Sequence, residues 1–390
     1  MSMIKDVEIY TVLNSKGSKT IRVSIVTEKD TYSASVPSGT STGINEAIEL
    51  PVEKVLEVFP SVKKKLIGMD EDWKRVDETI QKMDGTKNFS KVGGNLAVGL
   101  SIAVAKAGLD NNLWQLQSHD RFQFPFPLGN TIGGGEHGGG STWQEFLAIP
   151  YKTKTMSDAV KHFSDFWNHV GSELKKRGVL TGRNIENAWT TTWNDLKILD
   201  FLSKFAKDFD MKLGIDFAAS NFWDGKNYVY KKLKKKLTTE KQIDFIIETA
   251  KKYKLYYLED PFHEEDFKSF SVLTKKLKKC IVVGDDLYCT NPVLFNQGIK
   301  IKAGNSIIIK PNQVGNLSKT QEVIDLARKH KIVPVASHRS GETKDSWLAD
   351  LALAWKCPLI KAGTGIDFYK YNRLIELWKE IDNPKMAKLP

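Results

Sequence analysis

The spacing of hydrophobic and polar positions changes several times along this chain. Over residues 1–30 they alternate, as in VEIYTVLNSKGSKTIRVSIVTE, around the polar break Asn14-Ser15-Lys16-Gly17-Ser18. Alternation about a glycine-bearing turn predicts a hairpin or meander of an antiparallel sheet. Residues 46–82 carry charge at helical spacing, with Pro51 and Pro60 as breaks. Residues 94–109, GNLAVGLSIAVAKAGL, are apolar and small, which predicts a buried helix between two domains. Gln123-Phe124-Pro125-Phe126-Pro127 reads as a linker. Six short apolar runs follow, each ending in chemistry. They are LGID (Asp216), YYLED (Glu259, Asp260), IVVGDD (Asp285, Asp286), SIIIK (Lys310), PVASHR (His338, Arg339) and PLIK (Lys361).

Each run is β-branched or aromatic, as a strand buried in a parallel sheet requires. Their key residues are separated by 43, 26, 25, 28 and 23 positions. A gap of about 25 holds one strand, one helix and two loops, the period of a repeated βα unit. The predicted fold class is α/β: a (βα)8-type barrel over residues 126–390, with a smaller N-terminal α+β domain over residues 1–125. In such a barrel the C-terminal edges of the strands face one pocket. The period lies in the architecture; the sequence has no strict repeat.

Composition narrows the function classes. With 390 residues, 41% hydrophobic and 27% charged, the chain fits a globular protein of two domains. No apolar stretch approaches the length of a membrane span, and MSMIKDVEIY reads as a strand start and not as a leader. The three cysteines, Cys280, Cys289 and Cys357, show no CxxC spacing, so neither a disulfide framework nor a zinc site is expected. A cytoplasmic location follows as the expectation. The net charge of +11 raises the question of nucleic acid. The densest run, KKLKKK at 231–236, lacks interleaved aromatics, so it reads as solvated surface and nucleic acid is not an expected partner. The field would still steer an anionic substrate.

The strand ends carry the chemistry. Any one of Asp216, Glu259 and Asp285 reads most simply as a helix cap or an ordinary strand-end acid. Three in register, with two lysines downstream, suit a hard divalent cation held by oxygen alone. Asp260 and Asp286, the second acids of their pairs, are expected to orient that set. Lys310 ends a fully apolar strand, where desolvation and nearby cations would depress its pKa and make it a general base. Lys361 has the same setting; snorkelling to solvent is the plainer reading of one lysine and a weaker one of two. Ser337-His338-Arg339-Ser340-Gly341 offers a planar donor fork, hydroxyls and amides to a phosphate or carboxylate. The loops VPSGTSTG (36–43) and GGGEHGGG (133–140) are candidate lids, though most such loops are only turns.

These residues sit in longer motifs. They include VPSGTSTG with EAIEL, MDGTKNFSKVGGN, QEF at 144–146, GIDFAAS, LEDPF, VGDDL, TNP, IIIKPNQVGNLS, SHRSGET, IKAG and KYN. Together they resemble the enolase family over almost the whole chain. The resemblance implies an N-terminal α+β domain over an eight-stranded barrel, a homo-oligomer (usually a dimer), and two Mg2+ ions. It implies Mg2+-dependent dehydration of 2-phospho-D-glycerate to phosphoenolpyruvate in glycolysis. By the same resemblance Asp216, Glu259 and Asp285 would hold the first ion, and Ser41 would meet the second through substrate. Lys310 would take the C2 proton, with Lys361 stabilising the dianion. Arg339 and Ser340 would hold phosphate, and His137, Gln144, Glu145 and His338 would line the hydroxyl side.

The chain also departs from the family pattern. The family's GDEGG segment, whose glutamate assists loss of the hydroxyl, is replaced by TGRNIENAW at 181–189. An ungapped alignment puts Asn184 at the acid's position; a shift of two puts Glu186 there. Glu136 adds an acid to the histidine loop, the tail before KYN reads Gly365-Ile366-Asp367-Phe368, and residues 14–18 replace a loop implied at the dimer contact near Lys16. The alternative reading is an enolase paralogue that abstracts an α-proton from another phosphorylated or phosphonylated carboxylate. A third, a catalytically silent scaffold, conflicts with the intact acids and lysines.

Overall fold

The computed structural model describes residues 2–39, 43–365 and 367–390. The alternating N-terminal segment forms the antiparallel meander β1 (Asp6–Leu13), β2 (Lys19–Val26) and β3 (Thr31–Ser35). Asn14 makes the first turn: its Oδ1 accepts from the amides of Lys16 and Ser18 at 2.9 and 3.0 Å. Helix α1 (Val52–Leu66) begins after Pro51 but runs through Pro60. Pro60 therefore breaks nothing. It lies on an exposed face where water can satisfy the carbonyl that loses its amide partner. Helix α2 (Trp73–Asp84) is capped by Asp72 at its start and by left-handed Gly85 at its end. The apolar helix α3 (Gly94–Gly108) is buried along nearly all its length, with Gly99 packed against Val23 and Val36.

The expected linker is a pair of strands. β4 (Gln123–Phe124) pairs with a strand at the far end of the chain, and β5 (Phe126–Pro127) joins the large sheet. After Leu128 the chain continues as β6 (Gly129–Gly133) and returns as β7 (Glu145–Pro150). Helix α4 (Met156–Lys176), the hairpin β8 (Leu180–Arg183) and β9 (Trp189–Thr191), and helix α5 (Asp195–Ala206) follow. Next come β10 (Met211–Asp216), the surface hairpin β11 (Tyr228–Tyr230) and β12 (Lys235–Leu237), and α6 (Thr239–Tyr253). Regular alternation then brings β13 (Tyr257–Glu259), α7 (Phe267–Lys276), β14 (Ile281–Gly284), α8 (Pro292–Ile301) and β15 (Ser306–Ile309). The chain ends through α9 (Pro311–Val314), α10 (Leu317–His330), β16 (Val333–Ser337), α11 (Trp347–Ala354), β17 (Leu359–Lys361), α12 (Tyr369–Glu380) and β18 (Lys385–Met386), the partner of β4.

All six apolar runs pair in parallel, in the order β10, β13, β14, β15, β16, β17. β17 pairs with β5, while β6 pairs with β7 and β7 with β10. Because β5 and β6 are one continuous stretch of chain, the sheet closes into an eight-stranded barrel. β7 runs antiparallel to both neighbours, a reversal that the apolar run EFLAIP does not reveal. The lysine-rich 231–236 run lies in the β11–β12 hairpin with its lysines exposed. The three cysteines are buried and free. No helix among the described residues is long and apolar enough to cross a membrane.

Side-chain alternation decides where the chemistry points. Leu147, Ile149, Tyr257, Ile281, Val283, Ile308, Val335 and Leu359 fill the barrel interior as a cluster of their own. Ile215, Leu258, Val282, Ile307, Ile309, Ala336 and Ile360 face the surrounding helices and belong to the other core. Two residues along each strand returns a side chain to the same face. Glu145, Asp216, Glu259, Asp285, Lys310 and Lys361 share the inward parity and cap the apolar filling at one rim.

Candidate functional site

At that rim Glu145 is registered with Asp216, and Asp216 with Glu259. Glu145 starts an antiparallel strand and the other two end parallel ones, so all three reach the same edge. Lys361 lies among them, its Nζ 2.7 Å from Glu145 Oε2, 3.0 Å from Asp216 Oδ2 and 2.9 Å from Glu259 Oε1. Asp216 also accepts from the Ala218 amide at 3.0 Å, and Glu259 from the Tyr257 hydroxyl at 2.6 Å. Three buried carboxylates share one ammonium. Burial and the Asp216 charge push Glu259 up to about 8 even with Lys361 beside it. The cluster is short of positive charge, and its oxygen-only donors fit a hard divalent cation.

The predicted metal trio is divided between the two lysines. Asp285 pairs with Lys310, and its Oδ1 accepts from Gln313 Nε2 at 3.0 Å. Its carboxylate groups with those of Asp260 and Asp286, donor atoms lying within 4.8 Å of one another. Asp260 orients the set as its position suggested: its two oxygens accept from the amides of Asp285 and Asp286 at 2.9 and 2.8 Å. The expected depression of Lys310 is reversed. Burial is the largest single influence and lowers its pKa, but Asp285 and Glu259 together hold it above the ordinary lysine value. Ser41 lies outside the described residues.

Arg339 is buried and forms a fork to Glu46, Nη1 to Oε2 at 2.8 Å and Nη2 to Oε1 at 3.2 Å. Ser340, buried beside it, lines the same pocket, as do Gln144 and His338. Burial pushes His338 down to about 3, which keeps its imidazole neutral. Its Nδ1 has no hydrogen-bond partner among the described residues.

The replaced segment completes the pocket. Asn184 turns the β8–β9 hairpin: its Oδ1 accepts from the amides of Glu186 and Ala188 at 3.0 and 2.9 Å. Asn184 thus spends its acceptor on the turn and lines a neighbouring surface cleft, while Glu186 is buried in the pocket. Glu186 Oε2 lies 3.3 Å from His137 Nδ1 and accepts from Asn130 Nδ2 at 3.2 Å. His137 Nδ1 is also 3.7 Å from Glu145 Oε1. Burial opposes ionisation of both acids. It lifts Glu145 well above the usual carboxylate range, whereas His137 draws Glu186 well below it. The two shifts run in opposite directions, so of the two acids Glu145 holds a proton more readily. Glu136 is exposed and lines a different surface cleft, so it adds no acid here.

Sequence reasoning passed over Glu46, Gln313, Asn130 and Tyr257 as site residues. Glu46 and Gln313 stood inside quoted motifs, EAIEL and KPNQVG, but only the packing of the N-terminal unit on the barrel shows what they touch. The 14–18 turn packs on its own chain, with the Ser15 amide 2.7 Å from the Glu342 carbonyl.

A family model described as Enolase, N-terminal domain, matches residues 4–119, and one described as Enolase, C-terminal TIM barrel domain, matches residues 121–387. A curated enolase of Archaeoglobus fulgidus is 40% identical over 99% of this chain and 100% of its own length. An enolase of Methanosphaera stadtmanae is 38% identical over 100% of both chains. One of Picrophilus torridus is 37% identical over 97% of this chain and 99% of its own.

Proposed function

Since the chain belongs to the enolase family and is a phosphopyruvate hydratase, we propose a division of labour among its residues for the dehydration of 2-phospho-D-glycerate to phosphoenolpyruvate. The observation that carries it is the convergence on one pocket of Lys310, Lys361, the rim carboxylates, Arg339 and the Glu145–Glu186 pair. Nothing in the comparisons favours a different phosphorylated acid, and the burial of Glu186 in the pocket beside His137 supports it as the leaving-group acid.

Arg339 and Ser340 bind the phosphate. Asp216, Glu259 and Asp285 would hold the first Mg2+, and Ser41 would meet a second through substrate. When bound, Mg2+ supplies positive charge against the substrate carboxylate as that group gains negative charge. Lys310 is an ammonium while Asp285 is its partner. With Asp285 engaged by the cation it would give up that proton, and its neutral Nζ then takes the C2 proton while the C–H electron pair moves into the carboxylate. Lys361 stabilises that dianion from the other side. Gln144, His137 and neutral His338 line the hydroxyl side. The electron pair then returns to form the C2–C3 double bond as the C3–O bond breaks. A proton held by the Glu145–Glu186 pair passes to the departing hydroxide, which leaves as water.

Asp77, Ser101 and α3 belong to a domain over residues 1–125 that closes against the barrel of residues 126–390. A cytoplasmic homo-oligomer serving glycolysis completes the reading. The test is formation of phosphoenolpyruvate from 2-phosphoglycerate, followed by ultraviolet absorbance with and without Mg2+. Turnover that depends on Mg2+ supports the assignment; a folded protein inert at every Mg2+ concentration refutes it.

A further inference from the structure

One buried side chain touches both ends of the pocket without lining it. Gln313 follows the Lys310 strand in the short helix α9 and is 1% exposed. Its Nε2 donates to Asp285 Oδ1 at 3.0 Å and to Glu46 Oε1 at 3.3 Å. Glu46 in turn holds the Arg339 fork and accepts from the Gly43 amide at 3.1 Å. The other end of the Gln313 amide is fixed as well. Its Oε1 accepts from Thr290 Oγ1 at 2.8 Å, and Thr290 Oγ1 accepts from the Lys310 amide at 2.9 Å. The Gln313 carbonyl receives the Ala47 amide at 2.7 Å, which ties the N-terminal unit to the same turn. Thr290 is fully buried and left-handed, at φ 49°. No other residue among the described ones donates to both Asp285 and Glu46 in this way.

We propose that Gln313 is a positioning residue that couples the cation end of the pocket to the phosphate end. The inference rests on the reading of Asp285 as a metal ligand and of Arg339 as a phosphate ligand. Both Nε2 hydrogens are committed, one to each carboxylate, so neither carboxylate can shift without pulling the amide that holds the other. A cation that draws on Asp285 fixes the rotamer of Gln313, and with it Glu46 and the Arg339 fork. An anion on Arg339 fixes the same chain from the other end. Each ligand pays the ordering of the chain once, so the second binds an already ordered site. Reciprocity is then obligatory: each ligand raises the affinity of the other by the same factor. Isosteric glutamate would not serve at this position, because it accepts where Gln313 donates.

The test is isothermal calorimetry of Mg2+ binding with and without saturating methylphosphonate, which carries no carboxylate to reach the cation end. In the unaltered protein methylphosphonate should tighten Mg2+ about fivefold or more, at the lower edge of ordinary coupling. In Gln313→Met each ligand should still bind while the mutual effect falls below about twofold. Thr290→Ala releases the anchor of the amide and should lose the coupling likewise, whereas Thr290→Ser keeps the hydroxyl and should retain it. This pair gives the answer if Gln313→Met fails to fold. Wild-type coupling that persists in Gln313→Met, or in Thr290→Ala, overturns the proposal. An unaltered protein that binds no Mg2+ refutes instead the assignment on which the proposal rests.

Discussion

At the scale of residues, charge balance within the rim separates the roles. Lys310 is paired with Asp285 and Lys361 with three carboxylates, so the two lysines are not equivalent. Lys310→Ala should abolish exchange of the substrate α-proton with D2O, a loss of about 10²–10⁴-fold for a general base, even where net turnover is too slow to see. Exchange at the wild-type rate would assign the base elsewhere. Asp285→Asn keeps the shape of the site and removes one oxygen charge. Mg2+ affinity measured by calorimetry should fall by more than about tenfold while the fold survives. An unchanged affinity removes Asp285 from the metal site. Glu186→Gln breaks the pair that supplies a proton, and only the second half of the reaction needs that proton. Dehydration should therefore drop far more than α-proton exchange. Full hydratase activity in this variant excludes the role. Residue identities at the strand ends were legible in the sequence because each closes an apolar run. The direction of the Lys310 shift was not, since it needs Asp285 and Glu259 against burial, and Asp285 is a neighbour 25 positions away that only the barrel brings close.

At the scale of elements, the barrel helix after the Lys310 strand is capped by the N-terminal unit. Asp77 of α2 accepts from the Ser318 amide at 2.9 Å and hydroxyl at 2.7 Å, and Ser101 of α3 accepts from the Leu317 amide at 3.0 Å. Two donors that α10 leaves open are thus satisfied from another layer. Burial pushes Asp77 up to about 6 from 3.8. A carboxyl raised on folding contributes stability that is complete below its unfolded value and lost as the pH rises through the folded one. The loss is about 3 kcal/mol across that window, between roughly pH 3.8 and 6. Asp77→Asn keeps an acceptor and removes the titration. Its melting temperature should gain on wild type between pH 4.5 and 7.5; parallel pH profiles for the two proteins would show that Asp77 does not titrate there. The hairpin that bears Glu186 was half legible. Sequence left Asn184 and Glu186 as rivals; the turn uses the Asn184 side chain for the backbone and buries Glu186 in the pocket. The two strands within residues 123–127 and the continuous helix through Pro60 run against the proline signal, which marks a break only where the structure cannot tolerate the missing amide.

At the scale of the whole molecule, a closed barrel converts a linear period into a ring of functional groups. That period was visible, so the fold class and most of the pocket followed from it. The antiparallel return of β7 was not visible, since its apolar run carries no sign of direction, and the contacts of Glu46 and Gln313 arise only when the first and last thirds of the chain pack together. Gln313 and Glu46 are 267 positions apart in sequence and share a hydrogen bond. The central claim is that this ring, with its rebuilt acid segment, completes a dehydration and does not stop at proton abstraction. Incubating the unaltered protein with 2-phosphoglycerate and Mg2+ in D2O, and following both deuterium at C2 and phosphoenolpyruvate, tests it most directly. The account predicts phosphoenolpyruvate formation, with both signals lost when Mg2+ is chelated; deuterium uptake with no phosphoenolpyruvate would contradict it.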